Sequence, residues 1–241
     1  VSAPVVRNST ERLVVAGTIA PTIHDVHAWR LAVAGGRIEV HADPTRFRPM
    51  DDPSGRSLHL SCGAVLVNLR LAAAQLGREA VIRLLPDAGD PRILASVRLT
   101  RRRRVTREER LLYAATLRAT PPRAVAGGRS APDVRAVQEL ADTARLEGAT
   151  MHVLPGAGTC RAVLTTGGDT PQAWMRAGRA LQAVLLAATI RSVAVSFLYE
   201  IVDVPALGVP GDVPQVVLEL SRAALPVDGQ DERQRHRERV G

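Results

Sequence analysis

The stretch "DPSGRSLHLSCGAVLVNLRLAAAQLG", residues 52–77, decides the fold. Leu58, Cys62, Val65, Leu69, Ala72 and Leu76 recur at steps of four and three, which predicts one long helix with a broad apolar face, closed by Gly77. The loop "DPSGRS" precedes it. A second stripe of the same kind runs through Trp174, Ala177, Leu181, Val184, Leu185 and Ala188. With "GAVLVNLRLAA" (63–73) set over "GRALQAVLLAA" (178–188), Gly63 meets Gly178, Leu66 meets Leu181, Leu71 meets Leu186, and Ala72 and Ala73 meet Ala187 and Ala188. Small residues on one face let two helices approach closely, so this echo predicts a pair of buried helices at the centre of a two-fold-like core.

Around this pair the chain reads as mixed helix and strand. "NSTERLVVAGTIA" predicts a first helix, with Asn8 or Ser9 as cap and Pro21 as its end. "AWRLAVAGGRIEVHAD" predicts a hairpin turning at Gly35-Gly36. "EAVIRLLP" and "RILASVRLT" predict strands. "TREE" at 106–109 is a capping box opening "RLLYAATLR", and another helix covers 133–147. "ATMHVLP", "CRAVLTT" and "PQVVLEL" predict strands, "VAVSFLY" is a late apolar run, and "PPRAVAGGRSAP" and "GGDTPQ" predict loops.

The chain has 241 residues with 46% hydrophobic side chains, enough for one sizeable core or two halves sharing one. No apolar run reaches the ~18–20 residues of a membrane span, and the start has no signal-peptide pattern. Two cysteines, Cys62 and Cys160, make no disulfide framework, and a cytoplasmic location is expected. The net charge is +8, with every basic residue an Arg. Part of it lies in 221–241, whose "DERQRHRERVG" reads as a charged, disordered tail. "TRRRRVTREER" (100–110) runs from a strand into a capped helix without aromatic interleaving, so a solvated connector is expected and nucleic acid is disfavoured. His24 and His27 lie three apart, but His41 and His59 stand at no spacing that completes a zinc site, so no metal is expected. The Gly-Gly pairs lack the strand–helix context of a dinucleotide motif.

Taken together, "APTIHDVHAWR" (20–30), the 52–77 block, "RATPPR" (118–123), "WMRAGRALQAVLLAATIRSVAVSFL" and "VPQVVLEL" resemble the Acg-like branch of the FMN-binding nitroreductase superfamily. The resemblance covers most of residues 10–220. That branch looks like a nitroreductase homodimer fused into one chain, which implies an α+β fold, with a central, mostly antiparallel sheet packed by helices around the two long helices. It also implies one domain over 1–220, made of halves at about 1–100 and 105–220, and a single flavin site in the seam. The chain looks like a shortened relative, lacking a block between "GATMHVLP" and "TTGGDTPQAW". A monomeric pseudo-dimer or a homodimer, with no membrane partner, is implied.

By the same resemblance the FMN phosphate falls to Arg118, Thr120 and Arg123, where Pro121-Pro122 replaces the family's Asp/Asn-Arg pair. The ring falls to Pro21, Thr22 and Ile23, with Asp25 standing where the family has Asn. Gly178, Pro214 and Gln215 complete the set from the second half. The activity implied is NAD(P)H-dependent reduction of electron-poor small molecules, for which no catalytic side chain is required because the cofactor carries the chemistry. Two alternatives stand beside it, a non-catalytic flavin-sequestering protein and a degenerate member acting as a partner subunit.

Overall fold

Among the described residues, eight strands and four helices are laid out as the same pattern twice, with a fifth helix between the repeats. The computed structural model describes residues 13–19, 28–34, 36–117, 130–154, 160–198 and 212–223. In chain order they contain helix α1 (13–18), strands β1 (Trp29–Ala34) and β2 (Arg37–Ala42), α2 (Arg56–Gln75), β3 (Arg78–Leu84), β4 (Ile93–Arg102), α3 (Arg107–Thr116), α4 (Val134–Leu146), β5 (Thr150–Leu154), β6 (Cys160–Thr166), α5 (Pro171–Ile190), β7 (Val193–Leu198) and β8 (Val213–Arg222). The strands form two four-stranded antiparallel sheets of orders β1-β2-β4-β3 and β5-β6-β8-β7. Each half is therefore a helix, a hairpin, a long helix and a second hairpin, whose last strand pairs back onto the first hairpin.

The fold class is α+β with antiparallel sheets, as expected, but the single central sheet divides into two. Alternation marks a residue run as a strand without saying which runs join. Here each half closes its own ladder, and the long helices occupy the space between the sheets. The second correction concerns "GGDTPQ", because α5 begins inside it. Thr170 caps the helix by accepting from the Ala173 N–H at 3.2 Å, and Pro171 takes the first helical position, where its missing N–H costs nothing.

The start of α2 explains its motif. Gly55 sits at φ 72°, a left-handed conformation that a Cβ disfavours. Asp52 reaches past it, and its carboxylate oxygens accept from the N–H groups of Ser57 and Leu58 at 3.1 and 3.0 Å. That satisfies two orphan donors and sets negative charge against the helix N-terminus.

The two long helices cross at Gly63 and Gly178. A Cβ on Gly178 would stand 1.9 Å from the Leu60 carbonyl oxygen, and one on Gly63 would stand 2.2 Å from that of Met175. Leu60 and Met175 each lie three residues before their helix's crossing glycine, and each inserts into the other half's core. Leu60 of α2 packs with Leu140, Leu164 and Leu218, while Met175 of α5 packs with Leu13, Val40 and Leu66. Leu71 and Leu186, paired in the sequence echo, meet at the far end with Val67 and Ala115 of α3. Neither half completes its core without the other's side chain.

Polar groups lock the same pair. Gln182 donates to Asn68 at 2.8 Å, and Asn68 donates to the Ala16 carbonyl at 3.1 Å. The buried Glu147 carboxylate, at the end of α4, accepts from Arg70 of α2 and Arg179 of α5. By length and hydropathy α2 could cross a membrane, but nearly all of it is enclosed by protein.

Candidate functional site

At the N-terminal end of α2 the two halves meet through polar side chains. Arg56, in the first turn, donates to both the backbone oxygen and Oε1 of Gln215 on β8, at 2.7 and 2.8 Å. Gln215 is fully buried and donates from Nε2 to the Gly168 carbonyl at 3.3 Å. The side chain thus joins the α2 start to the loop before α5. Burial lowers the Arg56 pKa, which the nearby Asp169 and Asp52 carboxylates counter, and the guanidinium stays charged.

One turn further in, His59 meets Trp174 edge to face, with ring centroids 5.7 Å apart. These two residues stand four before Gly63 and Gly178, so they occupy matching places in the two halves. The indole N–H of Trp174 donates to Asp169. His59 Nδ1 lies 2.6 Å from the Gly55 carbonyl, which can only accept, so Nδ1 carries the proton and Nε2 is left as an acceptor. Burial holds the imidazole pKa below its usual value, against the opposing pull of the Gly55 bond and Asp52. At neutral pH the seam therefore presents a fixed cation, a buried amide and a neutral imidazole beside an indole.

Next to this cluster Trp29, Phe47, Asp52, Leu58 and Ser61 line a cleft of about 30 Å³. That is room for one water, not for a three-ring heterocycle.

Of the ten residues expected to hold a cofactor, three lie among the described residues. Gln215 is at the centre of the seam. Pro214 precedes it, paired with Thr165 in the β6–β8 ladder. Gly178 faces the α2 backbone inside the helix crossing, so its glycine character serves packing. Pro21, Thr22, Ile23, Asp25, Arg118, Thr120 and Arg123 fall outside the described residues, as do the caps Asn8 and Ser9, the turn residue Gly35, and His24 and His27.

Sequence reading passed over Arg56, His59 and Asp169 as site members. The available signal was a charged residue opening an otherwise apolar helix, but its partner is 159 residues away. Among the described residues, no group of three or more His, Cys, Asp or Glu could hold a metal ion. Cys62 is fully buried and burial pushes its thiol pKa up, which suits a small apolar core residue rather than a nucleophile. In the basic connector, Arg101 pairs with Glu79 and Arg103 with Glu109, so part of its charge is already neutralised.

No family model matches the chain. Two proteins of Mycobacterium tuberculosis strain H37Rv, provisionally named NAD(P)H nitroreductases, are similar to part of it. One, Rv3131, is 37% identical over 78 residues, which are 32% of this chain and 23% of that protein. The other, Acg, is 36% identical over 78 residues and 24% of its length. Rv3127 of the same strain, an uncharacterized protein, is 38% identical over 82 residues. The similarity thus spans about a quarter of the length of these relatives. Over about a third of this chain, it supports a place in the nitroreductase superfamily.

Proposed function

We propose that the chain is an FMN-binding, nitroreductase-like protein, built as a fused dimer, that passes reducing equivalents from NAD(P)H to electron-poor small molecules. The observation that carries this reading is the exchange of Leu60 and Met175 between two halves of identical strand order, at a glycine-on-glycine helix crossing. An interface between subunits is expected to look like this once the subunits share one chain.

The described donors suit one edge of a flavin. Arg56 offers positive charge, which a reduced N1 favours, and the buried Gln215 holds that guanidinium in place. The phosphate falls to Arg118, Thr120 and Arg123, and the ring face to Pro21, Thr22, Ile23 and Asp25. Gly178 contributes by bringing α2 and α5 together, and Pro214 by fixing the strand that presents Gln215. When bound, FMN would supply the hydride chemistry, leaving this chain to bind, orient and exclude water.

The test is spectroscopic. The purified chain, titrated with FMN, should show flavin bands that co-elute with protein at one flavin per chain, and Arg118→Ala should weaken their retention. No co-eluting flavin would end the proposal. If flavin binds but NADPH does not reduce it, binding without catalysis is the correct reading.

A further inference from the structure

We propose that the outer face of the first sheet holds a binding site for a phosphate-type anion, formed by Arg37, Arg83, Arg98 and Ser96. These side chains and Val81 line a bowl of about 330 Å³, far roomier than the cleft beside the seam. Register puts them on one face. Arg98 of β4 stands between Arg37 of β2 and Val81 of β3, and Ser96, two residues back, stands between Glu39 and Arg83.

Two observations mark this as a site rather than a solvated strand face. First, the charges are left unbalanced. Arg37 has only Glu39, at 3.9 Å, and that carboxylate is also bonded by His41 at 3.0 Å. Arg83 and Arg98 have no side-chain partner among the described residues. Like charges directly opposite on neighbouring strands are destabilising, so Arg37 across from Arg98 costs stability. The matching row of the second sheet avoids that cost, because Arg161 stands across from Glu219 and pairs with it at 2.9 Å. Second, Ser96 is 94% buried at the floor of the bowl, and its hydroxyl has no hydrogen-bond partner among the described residues. Guanidinium forks around one hydroxyl donor match a tetrahedral oxyanion, which accepts from several sides at once. Among the described residues no Phe, Tyr or Trp lines the bowl for stacking bases, which favours a small phosphate over a nucleic acid strand.

The experiment is calorimetric titration of the full chain, at constant ionic strength, with inorganic phosphate in one arm and ADP in another, using chloride as control. Saturable binding of one equivalent is expected. Binding in the phosphate arm would identify the free anion, and saturation only by ADP would identify a nucleotide phosphate. Arg83→Gln with Arg98→Gln should weaken binding by about tenfold or more, and Ser96→Ala by severalfold, while Arg161→Gln should leave it unchanged. Thermal unfolding gives a second readout, since phosphate should raise the Tm of the parent chain and not that of the double variant. Absence of saturable binding in both arms would overturn the proposal. So would unchanged affinity in the double variant, or duplex DNA binding through these arginines that phosphate fails to displace.

Discussion

Replacing Gly178 by alanine tests the central crossing, because the sign of the effect separates two outcomes. In an ordinary helix interior the change stabilises by about 0.8–1 kcal/mol, since alanine is the better helix former. Here the new methyl would stand 1.9 Å from the Leu60 carbonyl oxygen and 2.7 Å from its carbon. Both are backbone atoms and cannot rotate away. A comfortable contact needs about 3.5 Å, so α2 and α5 must separate by about 1.5 Å. Overpacking of this kind costs about 1–3 kcal/mol, and a gap of that size also forfeits much of the dispersion energy along the crossing. The separation is felt twice, because Leu60 and Met175 would withdraw from opposite cores. A net loss of about 2–4 kcal/mol is expected, or a fall in Tm of roughly 5–15 °C at about 2–4 °C per kcal/mol for a chain of this size. Urea unfolding should show a lower midpoint with an unchanged slope. Gly167→Ala is the control. Its Cβ would meet nothing within 4 Å, so its effect should stay within about 0.5 kcal/mol. A Gly178→Ala chain as stable as the parent, or more stable, would refute the close crossing.

Glu147→Ala would leave Arg70 and Arg179 facing each other over a vacated carboxylate position, and a loss of about 3 kcal/mol is expected in urea unfolding. Glu147→Gln should fall between this variant and the parent, since the amide oxygen can still accept. The capping-box residue Glu109 sets a pH dependence. The Arg103 hydrogen bond, helped by the Thr106 N–H, lowers its pKa to about 2. A depressed carboxyl stabilises the fold fully above its unfolded pKa of about 4.5, and that contribution is lost as pH falls toward 2. The shift corresponds to about 3 kcal/mol at most, which solvent around this partly exposed pair reduces toward 1–2 kcal/mol. Glu109→Gln should accordingly flatten the acid limb of the stability curve between about pH 5 and 2 and lower stability at pH 7.

Local rules carried most of the element assignments. The Gly-Gly hairpin, the box at Thr106–Glu109, the apolar stripes of α2 and α5 and the closing Gly77 all depend on residues within a few positions of one another. Their physics is complete inside a short window. The start of α5 was equally local, since Thr170-Pro171 is a cap followed by a first-turn proline, but the adjacent glycines weighed toward a loop. What the windows could not show was pairing. The division into two sheets depends on which hairpins share a ladder, and the Arg56–Gln215 contact depends on β8 arriving beside α2. The echo between 63–73 and 178–188 was the one long-range feature legible in advance. It was legible because a helix crossing this close leaves few alternatives to glycine at its centre.

The fold repeats, but the seam chemistry does not. Counting from the crossing glycines, Arg56 corresponds to Pro171 and Val67 to Gln182. The start of α2 carries a carboxylate cap and a cation that reaches the opposite half, whereas the start of α5 carries a threonine cap and, in the place matching Arg56, an uncharged proline. Core positions that must match for the halves to interlock, such as Leu71 and Leu186 or Leu60 and Met175, have remained apolar in both. Positions at the seam's polar end have no packing constraint that forces them to agree, and there the halves differ. Matching residues meet each other along the seam, as His59 meets Trp174 and Leu71 meets Leu186, so two copies of a subunit would bring two such cations to the same polar end. A single chain is free to keep one cation there, with Pro171 in the matching place, while the far end stays apolar where Ala115 of α3 packs with Val67, Leu71 and Leu186. On that reasoning a ligand of the seam that needs the cation is expected once per chain, on the side of the polar end that carries Arg56.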